Sequence, residues 1–217
     1  MGRIDDLANR YVAEWAALNP IGATYVGIAG YDDQLGDLSP AGFAAQAELN
    51  RTTLAEAERA EPVDERELVA KEAMVERLAL SLARYDAGEA ASELNVISSS
   101  LHGVRQVFDL MPTEGEEAVA NISARLGRVP AALDDVRRTL TESADAGHVS
   151  ARQQIIEVAK QCDVWTDPAG DDFFHRLAGR LDDGGDAALR SDLERHAGAA
   201  TAAVAAFARF LRDELAP

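Results

Sequence analysis

Apolar residues recur at steps of three and four along almost the whole chain, and no segment sustains the period-two alternation that a half-buried strand requires. Ile4, Leu7, Ala8, Tyr11, Val12, Trp15 and Leu18 form the first such stripe. Leu68, Val75, Leu78, Leu82 and Tyr85 form another, and Leu189, Leu193, Ala197, Ala200, Val204, Phe207 and Leu211 run along the last. Stripes of this kind can be buried only against other helices, so the fold class is all-α: about eight mostly antiparallel helices with no substantial sheet. With 217 residues, 47% of them hydrophobic, the chain is long enough to close one core, and residues 1–217 are read as a single helical domain.

Caps and breakers set the expected boundaries. Asn19-Pro20 ends the first helix. The stretch holding Gly22, Gly27, Gly30 and Gly36 interleaves Tyr25, Val26, Ile28 and Tyr31, which makes it an ordered loop with a short helical turn. Ser39-Pro40 starts a helix to about Ala60, and Pro62-Val63-Asp64 opens a third that Gly88 closes. Ser98 to Ser100 lead into Leu101, Val104, Phe108 and Met111 at helical spacing, and Pro112 stops that run. Thr113 with Glu116 reads as a capping box for a helix through Ile122 and Leu126. Pro130 is then expected to begin a separate helix through Leu133, Val136 and Leu140, ending at Gly147. A helix from about Ser150 carries Ile155, Ala159, Cys162 and Trp165; a shorter one after Pro168 carries Phe173, Phe174, Leu177 and Leu181. The last runs from about Asp186 to Leu215.

Charge narrows the function classes. Against 38 acidic side chains stand 21 basic ones, a formal charge of -17 that repels phosphate backbones and anionic lipid, so neither nucleic acid nor membrane is expected as a partner. The start Met1-Gly2-Arg3-Ile4-Asp5-Asp6 has no apolar leader, and no stretch has the unbroken apolar length of a bilayer span. Cys162 stands alone, so the expected setting is a reducing cytoplasm. Lys71 and Lys160 are the only lysines and alanine is abundant, a bias that suggests a GC-rich bacterial genome.

No catalytic or metal motif is complete. A helical zinc site needs two histidines one turn apart, and His102, His148, His175 and His196 are scattered. Asp182-Asp183-Gly184-Gly185-Asp186 has the spacing of an aspartate-rich Mg²⁺ motif, but paired glycines oppose a helix there, and a turn followed by an Asp186 N-cap is the favoured reading. Cys162 lies on an apolar stripe, as a buried structural thiol does. Ser98 to Ser100 lack a G-x-S-x-G context, and no glycine-rich phosphate loop precedes a lysine. No cofactor and no metal are therefore expected. The candidate ligand-binding residues are Tyr25 and Tyr31 in the glycine-rich loop, with His102, Arg105 and Asp109 on one polar face of the following segment. Loops held on a rigid scaffold concentrate binding groups, so residues 19–38 and 95–112 are expected to lie together along one side of the main cleft.

Two stretches also carry a family resemblance. Leu18-Asn19-Pro20-Ile21-Gly22-Ala23-Thr24-Tyr25-Val26-Gly27, continuing through Tyr31-Asp32-Asp33 and Asp37-Leu38-Ser39-Pro40, resembles the N-terminal signature of the bacterial family called domain of unknown function 885. Leu94-Asn95-Val96-Ile97 and Gln106-Val107-Phe108-Asp109-Leu110-Met111-Pro112 resemble its next shared segment, and the similarity continues to Leu211-Arg212-Asp213-Glu214-Leu215-Ala216-Pro217. Members of that family look like gluzincin-type zinc peptidases, in which a helical N-terminal half faces a C-terminal half bearing the zinc motif. The chain stops where that second half is expected to begin, so the resemblance assigns no zinc ligand or general base to any position here. It implies a substrate-cleft or binding module for a peptide or small molecule, acting as a homo-oligomer or with a protein partner that supplies the missing half. The other reading is a stand-alone, metal-independent enzyme, for example of specialised metabolism, using a pocket between helices.

Overall fold

In the computed structural model, residues 3–170, 172–181 and 186–216 are described. The elements in chain order are α1 (Arg3–Leu18), α2 (Pro20–Tyr25), α3 (Pro40–Arg59), α4 (Glu65–Asp86), α5 (Glu89–Ser92), α6 (Ser100–Gln106), α7 (Glu116–Asp145), α8 (Arg152–Trp165), α9 (Phe173–Arg180) and α10 (Ala187–Phe210). A 3₁₀ turn, Val107–Asp109, continues α6, and a π-helical turn, Leu211–Leu215, continues α10. Among the described residues there is no β-strand, and eight of the helices have seven residues or more.

The N-terminal layer is α1, α3 and α4. Arg10 pairs with Glu56 and Tyr11 Oη donates to Asn50 Oδ1 at 3.0 Å, which sets α1 antiparallel to α3. Asn50 Nδ2 donates to Ser81 Oγ, while Lys71 Nζ reaches the α3 C-terminal carbonyls of Glu58 and Ala60, so α3 and α4 form an antiparallel hairpin. The start of α1 is held by Glu67 of α4, a fully buried carboxylate that accepts from the backbone N–H groups of Ile4, Asp5 and Val63. Anionic oxygen at a helix N-terminus satisfies donors that the helix itself leaves unpaired. The layer is thinly packed: of the α4 stripe only Leu78 is buried, and Leu68 is exposed.

The main core lies between α6, α7, α8, α9 and α10. Ser123 with His196 and Arg137 with Glu214 show that α7 and α10 run side by side in the same direction. Phe108, Phe173 and Phe174 meet edge-on or tilted at the α9 end, with ring centroids 5.1 to 6.5 Å apart.

Two sequence expectations fail around α7. Its N-cap is Gly115 at φ 92°, with no side-chain bond from the expected Thr113–Glu116 box. Pro130 starts no new helix; it lies inside one helix of 30 residues. The buried residues Ile122, Leu126, Val129, Leu133, Val136 and Leu140 keep one helical phase straight through it. An interior proline costs about 3 kcal/mol, while each fully buried Leu or Val contributes about 1.5–3 kcal/mol. Breaking the stripe would forfeit several of these, so the stripe wins. Ser39 is the residue before α3 as expected, but its side chain makes no cap bond; its own N–H is taken by Asp37 Oδ1. Of the aspartate-rich run, residues 182–185 lie outside the described residues, and Asp186 caps α10 by accepting from Ala188 and Leu189 N–H.

Candidate functional site

A cleft of about 280 Å³ opens where the two singled-out segments converge. One side is formed by the turn from α1 into α2 and the start of α3, with Leu18, Asn19, Ile21, Leu35, Leu38 and Phe43; the other is the start of α6, with Ser99, Ser100 and Gly103. The α1–α2 turn is tight because Asn19 Oδ1 accepts from Gly22 N–H at 2.9 Å, with Pro20 at the first helical position. At the start of α3, a Cβ on Gly42 would stand 2.0 Å from the Asp37 carbonyl oxygen, so only glycine lets this loop lie so close to the helix. Ser99 caps α6, its Oγ accepting from His102 N–H.

The floor under the glycine-rich loop is α7. Arg125 has no solvent exposure; its Nε donates to the Gln34 carbonyl at 2.9 Å, and Nη2 donates to the Tyr31 carbonyl at 2.8 Å and to Thr24 Oγ1 at 3.0 Å. Arg128 Nε donates to the Asp33 carbonyl and Thr139 Oγ1 to the Leu38 carbonyl. These bonds take up loop carbonyls that have no helical partner. Burial lowers the Arg125 pKa to about 10, against the opposing pull of Asp32 and Asp33, so the group stays charged at neutral pH.

The sequence-selected residues lie beside the cleft and do not line it. Tyr25 is exposed, and its Oη donates to Gln106 Oε1 at 3.4 Å, which brings the loop against the helix bearing His102, Arg105 and Asp109. Burial, then the Asp109 charge, raise the Tyr25 phenol pKa, and Arg105 lowers it. Tyr31 contributes its backbone carbonyl to Arg125. Arg105 pairs with Asp109 and lies 3.9 Å from the Phe173 ring centroid, so these two do share an outward face. His102 does not share it. The imidazole is buried, edge-on to Trp165 at 5.5 Å, and faces Gln161 of α8. Arg125 and Gln161 have no signal in the sequence, because a charged or amide side chain on an amphipathic helix carries no local mark of which distant backbone it will meet.

His175 pairs with Asp172 and His196 faces Ser123, and among the described residues no three His, Cys, Asp or Glu side chains cluster as a metal site would require. Cys162 is buried, and desolvation pushes its thiol up to about 12, so it is inert as a nucleophile.

The family described as "Bacterial protein of unknown function (DUF885)" matches residues 20–217. The chain belongs to this family. The DUF885 match begins at the first residue of α2, so nearly all the cleft, the glycine-rich loop and the α7 floor lie within it, while α1 lies outside. No curated protein sequence matches the chain. Among the described residues, no helix of this DUF885 protein is long and apolar enough to cross a membrane.

Proposed function

We propose that this DUF885 protein is a helical binding module whose cleft between α2, α3 and α6 takes a short peptide or small molecule with an apolar body and a cationic group. The observation that carries this reading is the convergence of residues 18–43 and 99–103 on one hollow, with α7 bonded to the loop from below. Leu18, Ile21, Leu38 and Phe43 suit an apolar side chain, while Asp37 and the net charge of -17 favour a cation. The resemblance to gluzincin-type peptidases supports a peptide as the ligand. Association with a second copy or with another protein is part of the proposal, supported by the exposed Val69 and Leu80 on α4.

Gly103 gives the test. A Cβ there would meet only Ile21, at 3.5 and 3.9 Å, so a larger side chain enters the cleft without a backbone clash. Fluorescence polarisation with labelled peptides should show binding of Leu-Arg sequences over Leu-Glu ones. Gly103→Leu should weaken it at least tenfold with the thermal midpoint kept. Equal binding by the native protein and Gly103→Leu would place the ligand elsewhere. A second reading, a metal-independent enzyme using the same cleft, is favoured by the hydrogen bond between Ser99 and His102 at its wall.

A further inference from the structure

Ser99 Oγ lies 2.8 Å from His102 Nδ1, and His102 Nε2 lies 3.0 Å from Gln161 Oε1. The direction of every proton in this chain follows from its far end. Gln161 Nε2 donates to the Val96 carbonyl at 3.0 Å, and turning the amide over would set its oxygen against another acceptor. Gln161 Oε1 therefore faces His102 and accepts, so His102 Nε2 carries a proton. Burial disfavours a second proton on the ring, as does nearby Arg105, although the Gln161 bond opposes them. The ring is neutral at pH 7 and its Nδ1 holds a lone pair, into which the Ser99 hydroxyl donates. A serine that only caps a helix uses its oxygen as an acceptor; here its proton is also aimed at a base.

We propose that Ser99 is a nucleophile for acyl transfer, with His102 as its general base and Gln161 as the residue that positions His102, acting on a carboxylic ester bound in the cleft that Ser99 lines. The proposal rests on that cleft being a ligand site. Ser99 Oγ attacks the ester carbonyl carbon while its proton passes to His102 Nδ1. The bond to the alkoxy oxygen breaks, and the proton on Nδ1 goes to the departing alcohol. Water then attacks the acylated Ser99 by the same proton route, releasing the acid and restoring the serine.

A fluorophosphonate tests this directly, since the Oγ–P bond forms as fluoride leaves and the proton goes to His102. Intact-mass analysis and peptide mapping should find one adduct, on Ser99. Ser99→Asn keeps a capping oxygen but has no nucleophile, and should abolish labelling with the thermal midpoint unchanged. Gln161→Leu should slow labelling at least tenfold, an effect a mere cap would not show. Hydrolysis of p-nitrophenyl acetate should fall as pH drops through a single ionisation below the usual histidine value of about 6.5. No adduct, an adduct elsewhere, or labelling that survives Ser99→Asn overturns the nucleophile. If Leu-Arg peptides still bind in that case, the binding reading stands; loss of both binding and labelling removes both.

Discussion

The Arg125 guanidinium donates three hydrogen bonds to the loop above it, from a position with no solvent exposure. Its acceptors are two backbone carbonyls and a threonine hydroxyl of the loop. Removing it strips the Gln34 carbonyl of this donor, while the Tyr31 carbonyl keeps the Gln34 N–H and Thr24 Oγ1 keeps Asp32, and an acceptor left without its partner costs about 1–3 kcal/mol. Arg125→Met should therefore lower the unfolding free energy in urea by that amount and weaken peptide binding in parallel. Arg125→Lys should recover little, because an ammonium group lacks the planar fork that reaches three acceptors at once. A loss below about 1 kcal/mol would mean that the loop holds its shape by other contacts. Glu67 plays the matching part in the N-terminal layer, tying α1 to α4 through the backbone N–H groups of Ile4 and Asp5 and holding its own helix start through that of Val63.

At the scale of elements, α6 is short and carries a glycine in its interior. Gly103 has no steric reason to be glycine: an added Cβ would make ordinary contact with Ile21 and nothing closer. Alanine is preferred to glycine in a helix by about 0.5–1 kcal/mol, so Gly103→Ala should raise the thermal midpoint by a few degrees. Read beside the Gly103→Leu result, it separates the two consequences of one position, since alanine adds helix stability and leucine also fills the cleft. A falling midpoint for Gly103→Ala would show that α6 sits closer to α2 than the 3.5 Å contact implies. α7 teaches the complementary lesson. Its proline is a sequence-level stop signal, yet the buried stripe runs through it unbroken from Ile122 to Leu140.

On the scale of the whole molecule, the net charge of -17 and the exposed apolar residues of α4 act against each other in association. Val69 and Leu80 lie three turns apart on one stripe of that helix, 61% and 51% exposed. A second copy meeting this face would gain apolar burial and pay in charge repulsion, which salt screens within a Debye length of about 10 Å at 0.1 M. Light scattering should show a dimer fraction that rises between low and moderate salt and disappears in Val69→Glu with Leu80→Glu, with helicity retained. A monomer at every salt concentration would leave α4 as ordinary surface.

Helix class, most helix starts and the last helix followed from the local sequence, because periodicity and capping are properties of neighbouring residues. Asn19 and Asp186 mark the starts of α2 and α10 by bonding their own backbone, and Pro40 marks that of α3 from the first helical position. The meeting of residues 19–38 with 95–112 was legible only as an expectation drawn from glycines and serines, without saying which atoms would meet. Tertiary structure decided the rest. Whether Pro130 ends a helix depends on how much apolar surface lies in phase on both sides of it, a sum over contacts with α10 that no window of sequence contains. Whether His102 faces water or Gln161 depends on where α8 lies, fifty-nine residues further along the chain. Arg125 reads locally as one more charge on an amphipathic helix, and only the return of the loop over α7 turns it into the buried support of the cleft, since a backbone carbonyl carries no sequence signal of the donor it will find.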